Sequence, residues 1–144
     1  MSPDLQPGLR HVQRLAVDQH MLVPALAGSF ASFSDMPPVL ATAILVGFLE
    51  WACIEALRPY MTEGEHTVGT HIDVSHVAAT PAGMTITAEV QLLEIQGRKL
   101  RFAVRCHDDR ELISAGFHER AVIDDAKFGA RVAAKAAQVA GLGR

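Results

Sequence analysis

Residues 37–59 read PPVLATAILVGFLEWACIEALRP, and from Val39 to Ala56 nearly every position is apolar or small. The pattern predicts one long helix over 37–58, started by Ser34 or Asp35 ahead of prolines that suit a first turn and stopped before Pro59. It has no polar stripe to offer to water, so burial on most sides is expected. A carboxylate sits in the middle of that run. Glu50, between Leu49 and Trp51, would lose its hydration in a plain core, so it needs a partner, a raised pKa or an opening to a cleft. That requirement makes it the first candidate for a site.

Working outward, the N-terminal side is irregular. Residues 1–8 are polar and punctuated by proline and are expected to be flexible. His11 to Val17 alternates weakly and suits a short strand. Residues 18–35 mix small, apolar and turn residues with Phe30 and Phe33, which reads as a lid or loop with at most a short helical turn. On the C-terminal side the period changes from helical to two. Thr67 to Ala79 is rich in strand formers and ends at Thr80-Pro81-Ala82-Gly83. Met84 to Ile95 and Leu100 to Cys106 form a hairpin around Gln96-Gly97-Arg98, and Leu112 to Ile123 supplies a last strand. Asp124 or Asp125 then caps an Ala-rich helix over 125–140. One strand, one apolar helix and a four-stranded meander give an α+β order. In this arrangement, the hotdog fold, a curved antiparallel sheet wraps a long central helix and a C-terminal helix follows.

Composition bounds the function. The chain has 144 residues, 49% of them hydrophobic and 20% charged, which suits a single domain over 1–144. A net charge of −3, with basic residues scattered, gives no general attraction for nucleic acid or an anionic membrane. Cys53 and Cys106 have no metal spacing and read as small buried hydrophobes of a reducing compartment. The N-terminus lacks an apolar signal core, and Glu50 interrupts the helix before the ~20 apolar residues a membrane span requires. A cytoplasmic protein without nucleic-acid or membrane partners is expected.

Three blocks, ATAILVGFLEWACIEALRPY, EGEHTVGTHIDVSHVAATPAGMTITAEV and the HERAVI from His118 to Ile123, resemble the fluoroacetyl-CoA thioesterase family of hotdog proteins, with the likeness running from about His11 to Phe128. The resemblance implies a thioester hydrolase. It puts the catalytic threonine on Thr42, the acidic residue on Glu50 and the histidine on His76. It also puts a glycine whose amide lies beside the substrate on Gly69 and the HER arginine on Arg120. Of the aromatic pair in the family's lid, Phe33 matches one member and Met36 stands where the other would be, so fluoroacetyl selectivity is not carried over. The substrate is expected to be a short or medium acyl-CoA. Coenzyme A enters only as part of the substrate, with no separate cofactor and no metal.

The residue types suit the chemistry. Thioester cleavage needs an attacking oxygen, a proton carrier and donors for the oxyanion. Glu50 could attack the carbonyl or act as general base on water, while His76 protonates the departing thiolate or orients water, and Thr42 keeps the carboxylate or substrate oriented. Eight residues of helix at ~1.5 Å each put Thr42 and Glu50 roughly 12 Å apart, too far to touch. If both serve one site, it takes Thr42 from one protomer and Glu50 from its partner, which predicts a homodimer with two interface sites.

Duller readings accompany each residue. Glu50 could be a satisfied structural carboxylate, Thr42 could bond the preceding turn, Gly69 could be a strand bulge and Arg120 could pair with a neighbouring strand. Arg98, Lys99 and Arg101 could reach coenzyme A phosphates or simply form a solvated sheet face. His66 and His71 lie near the site strand without a carboxylate spacing for metal. A hotdog hydratase or dehydratase, and a non-catalytic acyl-thioester binder, are the rival functions.

Overall fold

The period-two alternation of the second half builds four long strands, and the computed structural model, which describes residues 1–142, joins them to the N-terminal strand in one sheet. In chain order the elements are β1 (Arg10–Ala16), α1 (Thr42–Leu57), β2 (Glu65–Val74), β3 (Thr85–Gln96), β4 (Lys99–His107), β5 (Leu112–Asp124) and α2 (Asp125–Leu142). The strand order is β1-β3-β4-β5-β2, with every pairing antiparallel. The sheet curves around α1. Ile86, Ala88, Val90 and Leu92 of β3 and Leu100, Phe102, Val104 and Cys106 of β4 turn inward, and with Leu45, Leu49, Ala52, Cys53 and Ala56 of α1 they form the core. This is the hotdog architecture.

The helix differs from expectation in two ways. It begins at Thr42, not at Pro37, and its N-cap is Ala41, with no side-chain cap from Ser34 or Asp35. Leu40 and Ala41 are extended instead, after a bend at Val39, because the backbone groups of these three residues have partners across the fold. Val23 N–H donates to Val39 O, Leu40 N–H to Thr80 O and Ala41 N–H to Met21 O. Each residue before a proline is also pushed away from helical geometry, which disfavours a helix through Pro37-Pro38. Ser34 and Asp35 belong to a separate 3-10 helix, Ala31–Asp35.

Burial on most sides is corrected as well. Ala43, Gly47 and Trp51 form an exposed stripe at helical spacing, with Trp51 39% exposed. The chain's own sheet covers only one side of its most apolar helix.

The lead-in is docked rather than loose: Leu5 is buried in the core, Ser2 N–H donates to Tyr60 O and Gly8 N–H to Leu92 O. The lid region holds three 3-10 helices, Gln19–Met21, Val23–Leu26 and Ala31–Asp35. Thr80, fully buried, donates to Asp108 Oδ2 at 2.9 Å. Asp108 Oδ1 in turn accepts the Arg110 and Glu111 amides. These bonds pin the segment after β2 to the β4–β5 turn.

At Gly116, φ is +156° and an added Cβ would lie 2.0 Å from the Asp73 carbonyl oxygen. Gly116→Ala is therefore expected to destabilise the protein by about 3 kcal/mol or more, because backbone cannot give way as a flexible side chain can. Urea unfolding of the variant beside the parent checks this.

Candidate active site

The alternation of β5 turns His118, Arg120 and Val122 to the core side, opposite Ile72, Gly69 and Thr67 of β2. Arg120 is only 3% exposed, so every guanidinium donor needs a partner. Nε donates to Thr67 Oγ1 and Nη2 to Thr67 O, both at 2.9 Å, while Nη1 donates to Glu50 Oε2 at 2.9 Å and to His118 Nε2 at 3.1 Å. The carboxylate on the apolar helix thus has a buried counter-charge, while its side chain stays 38% exposed. Among the described residues no hydrogen bond occupies Glu50 Oε1.

Gly69 explains how these groups meet. It faces Arg120 across the β2–β5 pair, and a Cβ there would lie 2.7 Å from Glu50 Oε2 and 3.4 Å from Arg120 Nη1. The bulge reading also holds, since the register shifts between Gly69 and His71. Glu50, Gly69 and His118 line an open cleft of about 400 Å³ with Val46, Thr70, His71 and Ile72.

Thr42 and His76 form a second group. Thr42 Oγ1 and His76 Nδ1 are 2.8 Å apart, linking the first turn of α1 to the segment after β2. Neither residue borders the cleft at Glu50. One chain therefore holds two separate polar groups, Thr42 with His76 and Glu50 with Gly69 and Arg120, at different points along α1. Phe33 packs against Phe30 with ring centroids 5.1 Å apart, and Met36 is exposed; neither borders the cleft.

His118 joins the Glu50 group although a strand histidine carries no site signal by itself. It is 2% exposed, and its Nδ1–H donates to His71 O at 2.7 Å, which leaves Nε2 to accept from Arg120. Period-two spacing within the HER motif was the available signal, because a strand turns His118 and Arg120 to the same face.

The basic residues weighed for coenzyme A are engaged locally. Arg101 Nη1 pairs with Glu119 Oε2 at 2.6 Å and its guanidinium stacks on Phe117, Lys99 reaches the same carboxylate, and Arg98 donates to Val122 O. His66 pairs with Asp125. Among the described residues no cluster of three His, Cys, Asp or Glu side chains has metal-binding geometry. Burial pushes the Cys53 thiol up to about 12, with Arg120 opposing the rise and Glu50 adding to it, so it remains a neutral thiol.

The chain matches the fluoroacetyl-CoA-specific thioesterase family over residues 17–126. It belongs to that family. A fluoroacetyl-CoA thioesterase of Streptantibioticus cattleyicolor is 41% identical over 135 residues, covering 94% of this chain and 97% of that one. A solved structure of the fluoroacetyl-CoA thioesterase superposes with a TM-score of 0.88 at 41% identity, covering 91% of this chain and 97% of the other. A Thermus thermophilus member of the thioesterase superfamily reaches 0.87 at 22% identity, covering 96% and 98%, and shows the shared fold. Family membership makes the chain a thioester hydrolase.

Two outcomes follow from this geometry. Gly69→Ala is expected to displace the Glu50 carboxylate and to lower kcat by about a hundredfold, with the fold intact by circular dichroism; a shift of this size corresponds to about 2.7 kcal/mol of barrier. His76 and His118 both lie below the ordinary histidine value of 6.5, chiefly through burial. For His118 the hydrogen bond to His71 opposes burial and Arg120 adds to it. The unfolded chain binds the extra protons, so stability is full above about pH 6.5 and declines as pH falls below it. Thermal midpoints measured from pH 7.5 down to 5 should decrease, and His118→Asn should flatten the decline.

Proposed function

We propose that this protein is an acyl-CoA thioesterase that releases coenzyme A and a free acid from a short or medium acyl-CoA, acting as a homodimer with two composite sites. The observation that carries the reading is the pair of half-sites: a clamped, partly exposed carboxylate in one place and a hydroxyl–imidazole pair in another, on one apolar helix. Two features support self-association. β2 is an edge strand whose residues Gly69 to Asp73 are exposed, and α1 presents the uncovered apolar stripe of Ala43, Gly47 and Trp51. A second copy related by a two-fold axis would satisfy both and bring Glu50 of one protomer toward Thr42 and His76 of its partner.

In such a site Arg120 holds Oε2 and leaves Oε1 for chemistry. Oε1 either attacks the thioester carbonyl, forming an acyl anhydride as the C–S bond breaks, which water then hydrolyses to the free acid and the restored carboxylate, or takes a proton from a water that attacks the carbonyl directly. In both routes Thr42 and His76 deliver a proton toward the departing thiolate, and the Gly69 backbone lies where the acyl group enters. Phe33 and Met36 belong to the lid that sets acyl size. A flexible methionine at position 36, with Phe33 stacked on Phe30, supports a substrate range different from fluoroacetyl-CoA alone. Among the described residues no helix is long and apolar enough to cross a membrane. A cytoplasmic location fits the buried, unpaired cysteines, and neither nucleic acid nor a separate cofactor enters the reading.

Thiol release from acetyl-, fluoroacetyl-, medium-chain and aryl-CoA esters tests the activity, with Glu50→Gln and His76→Ala expected to abolish it while remaining folded dimers. Mixing inactive Thr42→Ala and Glu50→Gln chains tests the composite site. Random reassortment places both intact residues in one site of each heterodimer, so about a quarter of parental activity should return. Sites contained within one chain would give no recovery.

A further inference from the structure

Among the described residues, two buried side-chain polar atoms have no hydrogen-bond partner: His76 Nε2 and Ser114 Oγ. Their positions are related. β2 pairs with β5 through Ile72 opposite His118 and Val74 opposite Gly116. Backbone bonds carry the same register past the end of β2, from Ser75 N–H to Ala115 O at 3.0 Å and from Val77 N–H to Ile113 O at 2.8 Å. His76 therefore stands opposite Ser114, in the non-hydrogen-bonded position between those pairs. There the Cα atoms of facing residues come within about 4.5 Å and side chains of one face approach most closely. On its other side Ser114 pairs with Cys106, an inward residue of the core, and Ser114 itself is fully buried.

We propose that Ser114 is a positioning residue for His76: the two side chains do not bond in their present rotamers, and the Ser114 hydroxyl serves Nε2 through one water or a turn about its χ1, while Nδ1 engages Thr42. The proposal rests on the reading of Thr42 and His76 as site residues. Nε2 is enclosed even in a single chain, so neither substrate nor a second protomer reaches it from outside; its partner comes from this chain. A serine hydroxyl suits the task because it donates to a bare ring nitrogen and accepts from a protonated one. Because the transfer runs through Nδ1 and the Thr42 hydroxyl, Nε2 keeps its proton throughout, and the serine oxygen accepts from it before and after the transfer. The Ala78 backbone also faces the ring and favours its charged form against the effect of burial, but no hydrogen bond of normal geometry joins it to Nε2.

The test is side-chain nitrogen NMR of His76 in the parent, Ser114→Ala and Ser75→Ala proteins, with steady-state kinetics alongside. Ser75 is the control, because its hydroxyl bonds the Ala115 backbone. Ser114→Ala should move the Nε2 resonance and lower the His76 titration midpoint by about half a unit or more, since the charged ring loses its acceptor. It should also lower kcat about tenfold with KM little changed, and Ser75→Ala should leave the Nε2 resonance in place. An unchanged resonance and midpoint in Ser114→Ala, as expected if Ala78 serves Nε2, would overturn the proposal, as would equal shifts in both variants. The resonance requires no turnover, so a parent that cleaved no thioester would sink the functional reading while the Ser114 contact was still decided.

Discussion

A guanidinium almost without access to water dictates much of this architecture. Arg120 is buried at the meeting of α1, β2 and β5, and an unpaired charge there would be costly. Its two bonds to Thr67 fix it to β2, its contact with His118 fixes it along β5, and its bond to Glu50 ties the sheet to the helix. The same contacts make an otherwise unfavourable carboxylate acceptable on an apolar helix. They also need empty space, which Gly69 provides by having no side chain. Removing either charge would therefore expose the cost of leaving the other unpaired.

The second constraint is the shortfall of covering surface. A single five-stranded sheet has one concave face, and α1 is apolar nearly all round, so part of the helix remains open along Ala43, Gly47 and Trp51. β2 likewise keeps an unpaired edge. Both uncovered features lie on elements that carry Thr42, Glu50 and Gly69, so an association that covered them would pack beside both polar groups. The lid depends on the same elements, because its backbone bonds to residues 39 and 41 set where α1 begins.

Periodicity made the fold legible. The switch from an unbroken apolar run to alternating strands identified a helix wrapped by an antiparallel sheet, and the hairpin at Gly97 and the last strand fell close to their observed limits; the four-stranded meander did not hold, since β2 lies at the edge beside β5 and not beside β3. The helix start did not, because the bonds that keep Val39 to Ala41 out of the helix come from Val23, Thr80 and Met21, remote partners that no local capping signal reports. Among the candidate residues, Glu50 stood out by desolvation, and Thr42, His76, Gly69 and Arg120 by their surrounding motifs. His118 and Ser114 escaped notice because a histidine or serine in a strand acquires meaning only from what faces it.

The sequence by itself determined the kinds of element and the presence of a carboxylate that had to be compensated, because hydrophobic period and the cost of burying charge are local properties. It also fixed that Thr42 and Glu50 are too far apart on one helix to meet. Only the tertiary structure decided which cation compensates Glu50, that His76 joins Thr42, and that Gly69 leaves the space where Glu50 and Arg120 come together. Those facts depend on strand register and on contacts between residues as much as 70 positions apart, and no local pattern of side chains encodes them.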